Sequence, residues 1–137
     1  MTWELYWTTL TALLAAGLWV PYIVGVNTAP AGDGHDRQDF SRPADPSRER
    51  PWVHRAWRAH LNLLEQFLPM AALVLIGHLV GASSVVTVWA TGLFFGLRAL
   101  HAAGMIGGWL RFPARPIVFT AGFACVLAMG VEVIRLG

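Results

Sequence analysis

Twenty consecutive residues, Leu5 to Val24, carry no charge. As a helix they rise about 30 Å, the depth of a bilayer's hydrocarbon. Three more long apolar stretches follow. One occupies the second half of a run from Val53 to Val80, one runs from Ser84 to Ile106, and one from Pro116 to Ile134. Hydrophobic residues make up 55% of the chain and charged residues 13%, too apolar a balance for an ordinary soluble domain. The expected fold class is therefore all-α and integral to a membrane, with helices at about 5–25, 53–80, 84–107 and 116–135. A cleaved signal peptide is the rival reading of the first run. Glu4, the lack of a basic N-terminal residue and the length of the run favour a retained helix.

Residues 27–53 form a polar connection rich in Asp, Arg, Pro and Gly, and 108–115 a second one. Nine of the ten arginines lie in or near these two connections, and there is no lysine. Positive residues stay on the cytoplasmic side of a membrane. Both connections are thus expected in the cytoplasm, with the termini opposite. Trp52, Trp57 and Trp109 suit the cytoplasmic interface, and Trp3 and Trp7 the other. Arginine-only usage points to a GC-rich bacterial genome, hence a bacterial inner membrane. No basic stripe interleaved with aromatics lies outside the spans, so nucleic acid is not an expected partner. Asp33-Gly34-His35-Asp36 lacks a recognised ligand spacing and reads as a solvated turn, so no metal site is expected. Cys125, the sole cysteine, reads as a small buried hydrophobe.

The second span carries the chemistry. Arg58, Asn62, Glu65 and Pro69 share one helical stripe, and His60 points the other way. Ionisable groups in hydrocarbon are costly and normally face a partner, cavity or ligand. Glu65 lies roughly 15 Å into its helix, counted from Arg55. Arg98 reaches a similar depth on the next, antiparallel span. That match predicts a Glu65–Arg98 ion pair, with Asn62 and His101 level with each other one turn nearer the cytoplasm. The pair alone reads as structural. Together with Arg58, His101 and Arg115, the set exceeds what one ion pair needs and predicts a polar site open to the cytoplasm. Its donors suit a ligand bearing carboxylates, and its positive charge would favour a bound thiolate. Motifs for a serine triad, a zinc protease, a phosphate loop or a nucleobase deaminase are absent, so any nucleophile would come with the ligand.

Arg55-Ala56-Trp57-Arg58-Ala59-His60-Leu61-Asn62-Leu63-Leu64-Glu65, followed by Phe67 and Pro69, resembles the helix-two signature of the MAPEG family, the membrane-associated proteins of eicosanoid and glutathione metabolism. Arg98-Ala99-Leu100-His101 resembles its helix-three motif, and Arg111-Phe112-Pro113-Ala114-Arg115 the loop into its fourth helix. The resemblance implies a four-helix bundle assembled as a homotrimer, with glutathione as co-substrate between subunits. It implies that Arg58, Asn62 and Glu65 hold the charged ends of glutathione, that His60 reaches a neighbouring subunit's site, that Arg98 pairs with Glu65 and that His101 lines the pocket. Arg115 matches the arginine that stabilises the glutathione thiolate in active relatives.

Two departures bear on function. Met105 stands where eicosanoid-branch members carry a tyrosine, and the connection at 27–53 is unusually long. Met105 cannot donate a hydrogen bond, which argues against eicosanoid synthesis. The expected activity is glutathione transfer or peroxide reduction on lipophilic electrophiles that arrive through the bilayer. The competing expectation is a non-catalytic scaffold or assembly partner that keeps the same fold.

Overall fold

The computed structural model describes residues 1–28 and 49–137. Asp33-Gly34-His35-Asp36 and most of the 27–53 connection lie outside the described residues. Those described form four helices: α1 (Trp3–Asn27), α2 (Pro51–Val80), α3 (Val85–Gly107) and α4 (Ala114–Leu136). All four are long and apolar enough to cross a membrane. The central pair is α2 and α3. Helix α1 packs on both from one side and α4 on both from the other.

Local chemistry sets the helix ends. Thr2 caps α1 by accepting from the Leu5 amide, so α1 starts at Trp3, two residues before the first uncharged run. Pro51 occupies the first position of α2, where its missing amide costs nothing. The α2–α3 turn needs Gly81 in the left-handed region, at φ 72°. Ser84 then caps α3 in a reciprocal box with Thr87. Helix α4 begins at Ala114 on a Pro113 cap, so Pro116 falls in its first turn.

The buried positions of α2 (Val53, Ala56, Ala59, Asn62, Leu63, Gln66, Met70, Val74 and Gly77) recur at helical spacing and make one stripe. That stripe serves two cores. Met70 and Val74 join Ala90 and Phe94 of α3 and Val126, Met129 and Val133 of α4. Nearer the other end, Ala59 and Leu63 join Ala15 and Leu18 of α1 and Ala102 and Met105 of α3. Cys125 is partly buried and packs against the first core, as a small apolar side chain does. Hydroxyls within the spans bond to carbonyls one turn back, as Thr8, Thr9, Thr11 and Thr91 all do. This satisfies groups that lipid cannot.

Arg50 ties the two ends of the long connection together. Its guanidinium donates to the Gly25 carbonyl at 2.9 Å and to Thr28 Oγ1 at 3.0 Å. Val53 and Trp52 press against the bare Cα of Gly25, which lets α1 and α2 meet closely there.

Phe94, fully buried where α2, α3 and α4 meet, provides a test of this packing. Phe94→Ala should lower the stability of the detergent-solubilised protein by about 3–5 kcal/mol, read from denaturant unfolding. Lipid-facing Leu79→Ala should have little effect.

Candidate functional site

Three helix segments converge at the end of the bundle that carries the α3–α4 connection. The first turns of α2 bring Arg55, Arg58, Asn62 and Glu65. The last turns of α3 bring His101 and Met105. The start of α4 and the loop before it bring Arg111, Arg115 and Phe119. Together they surround an open cavity of about 780 Å³, within the roughly 300–1,000 Å³ typical of small-molecule sites.

Of the residues singled out from the sequence, Arg58, Asn62, Glu65, His101 and Arg115 line this cavity. His60 and Arg98 do not. The His60 side chain lies off the cavity, partly buried, with Nδ1 unpartnered among the described residues. Its position opposite the Arg58–Asn62–Glu65 stripe accounts for this.

The expected Glu65–Arg98 ion pair is not formed. Glu65 is exposed at the cavity wall, whereas Arg98 is 1% exposed and turned toward α4. One guanidinium nitrogen, Nη2, donates to the carbonyls of Val118 at 3.1 Å and Phe119 at 3.2 Å. The rings of Phe94 and Phe119 flank the guanidinium, with centroids 5.6 and 5.1 Å from Cζ. Gly122 makes room, because any Cβ there would collide with the guanidinium. Counting residues gave Arg98 a depth but not a direction. Gly122 opens a niche on the α4 side, and backbone oxygens there replace the carboxylate.

Asn62 and His101 do not bond to each other either. Asn62 Nδ2 donates to Met105 Sδ at 3.5 Å, a weak contact that fixes the amide at the cavity wall. The His101 ring sits 5.8 Å from that of Phe119, and its Nε2 is buried without a partner among the described residues. Met105, which cannot donate, here accepts.

The structure adds residues that sequence reasoning did not select. Arg55 lines the cavity and donates to the Ile106 carbonyl at 3.4 Å. It reaches α3 past Gly108, whose φ of 75° and missing side chain leave the path open. Arg111 brings the arginines at the cavity to four, against one acid, Glu65. Arg55 and Arg111 stood inside the quoted motifs, so a count of cations per loop could have found them. Gln66 is buried, and its Nε2 donates to the Phe119 carbonyl at 3.2 Å. Its spacing of four from Asn62 was the available signal.

The fold and site define a multi-pass membrane protein with a cationic cavity at one end of four spanning helices. The chain belongs to the MAPEG family, whose family model matches residues 5–135. That family includes glutathione-dependent transferases and peroxidases. Neither the curated proteins nor the solved structures searched contain a match to the chain.

The Arg98 niche can be tested at Gly122. Gly122→Ala drives a methyl into the guanidinium, whereas the nearest atom to a Cβ at Gly130 is Leu73 Cδ1, at an ordinary 3.5 Å. Gly122→Ala should cost about 1–3 kcal/mol through overpacking, and Gly130→Ala should be nearly neutral. Thermal unfolding of both variants in the same detergent makes the comparison.

Proposed function

We propose that the cavity binds glutathione and that the protein is a glutathione transferase or peroxidase acting on lipophilic electrophiles. The observation that carries this reading is the gathering of Arg58, Asn62, Glu65, His101 and Arg115 around one cavity, in a chain of the MAPEG family. Glutathione offers two carboxylates, an ammonium and a thiol. Arginine pairs with carboxylates in a planar, two-bonded geometry. The single acid at the wall, Glu65, matches the single ammonium.

Arg115 is the residue assigned to catalysis. It is the second residue of α4, so its guanidinium and the positive end of that helix both favour an anion. A thiolate held there attacks the electrophilic carbon. The new S–C bond forms as the leaving group departs or a strained ring opens. With a hydroperoxide, the thiolate sulfur instead attacks the terminal peroxide oxygen, the O–O bond breaks, and the alkoxide leaves and takes a proton from water. A second glutathione thiolate then displaces hydroxide from the sulfenic acid, giving the disulfide. Phe112, Phe119 and Leu110 supply an apolar wall for the electrophile.

The active form proposed is a homotrimer with the cavity at subunit contacts. Glu65 and Arg58 are exposed on the single chain, and charged groups along a membrane helix normally find cover. His60, which does not line its own chain's cavity, is proposed to reach a neighbour's. The arginine-rich end is proposed to face the cytoplasm of a bacterial cell, where glutathione would enter.

Conjugation of glutathione to a generic aryl halide by wild type and Arg115→Ala tests the reading. The variant should lose roughly 100- to 1,000-fold in rate, as when one charge-stabilising donor is removed. Arg58→Ala and Asn62→Ala should each weaken glutathione binding by calorimetry, by about tenfold. Neither heat nor competition at millimolar glutathione would leave the non-catalytic scaffold as the reading.

A further inference from the structure

The opposite end of the bundle holds a second cavity, of about 260 Å³, between the start of α1, the end of α2 and the α2–α3 turn. Glu4, His78 and Ser83 lie on its wall, with Val74 and Met129 giving it apolar surface. Glu4 is 5% exposed. Its Oε1 accepts from Ser83 Oγ and from Thr87 Oγ1, both at 2.7 Å. Both donors are neutral. Among the described residues Glu4 has no salt bridge; the Thr2 hydroxyl and the Glu4 amide are further neutral hydrogen-bond partners of the carboxylate.

The contrast with Glu132 at the same end is direct. Glu132 accepts from Ser84 Oγ at 3.0 Å and is also bridged by Arg135 at 2.7 Å. Two carboxylates thus converge on the first turn of α3, and one cation answers them. The helix N-terminus offsets part of this charge, but it amounts to about half an elementary charge and is shared by both acids. A carboxylate this buried is costly without an opposite charge.

We propose that the smaller cavity binds a primary ammonium, with Glu4 as its ion-pair partner. The Glu4 carboxylate accepts an N–H bond from the ligand, and Val74 and Met129 cover its methylenes. No Phe, Tyr or Trp lines the cavity, so a quaternary ammonium gains neither a hydrogen bond nor the face of one of those rings there. A bare metal ion fits poorly. The described residues contain no group of three or more metal-ligating side chains, and the volume far exceeds one ion. The cavity lies at the ends of the spanning helices, the part of such a helix that lies near a bilayer's polar surface. The ammonium can therefore come from an ethanolamine lipid headgroup or from a free amine.

The experiment reconstitutes the full chain in bilayer discs with equal parts ethanolamine- and choline-headgroup lipids of identical acyl chains. Native mass spectrometry then reads the lipids retained. A parallel arm measures the thermal midpoint in detergent with ethylammonium or tetramethylammonium chloride. Wild type retaining the ethanolamine lipid about tenfold over the choline lipid, with the preference lost in Glu4→Gln, supports the headgroup source. Stabilisation by ethylammonium alone, lost in Glu4→Gln and without lipid preference, supports a free amine. Should Glu4→Gln not fold, Glu4→Asp withdraws the charge by one methylene and should show the same loss. Wild type showing no preference in either arm, or a preference that survives the Glu4 variants, overturns the proposal.

Discussion

One backbone carbonyl holds the arrangement together. The oxygen of Phe119 on α4 accepts from Gln66 of α2 and from Arg98 of α3. In lipid, nothing outside the protein can supply such bonds, so a polar side chain that enters the bundle must find an oxygen inside it. The three helices that meet at Phe119 also wall the larger cavity. The inner end of the polar region is therefore fixed where the helix register is fixed. Arg98 is one turn beyond His101, so its charge stands behind the cavity rather than in it.

Among the described residues, four arginines and Glu65 surround the cavity near the α3–α4 connection, and Glu4, Glu132 and Arg135 lie at the other end. Between them the α2–α3–α4 core is aliphatic, thioether and phenyl. That separation suits a protein whose middle faces hydrocarbon. The larger cavity is thus lined mainly by cations and the smaller one holds a carboxylate, with an apolar core between them among the described residues.

The four spans were legible because a long apolar run has few alternatives. Family membership was legible in the α2 motif. The cavity was legible in part. Arg58, Asn62 and Glu65 share a stripe that the helical period dictates, and Arg115 directly follows the connection that returns to them. Pairing was not legible. Residue counting gives depth along a helix, but the direction of Arg98 depends on a vacancy at Gly122, on another helix and 24 residues away in sequence. Glu4 was hidden for a related reason. Read along the chain it is only a charge before an apolar run. Its partners Ser83 and Thr87 lie 79 and 83 positions further on, brought near by the packing of α1 on α3.

Arg55 is already engaged before any ligand arrives, since the Ile106 main chain occupies one of its nitrogens. An anion drawn to that guanidinium can use its remaining N–H groups, since only one nitrogen is engaged among the described residues. The Arg55 guanidinium thus ties the last turn of α3 to the first turns of α2, beside the connection that carries Arg111.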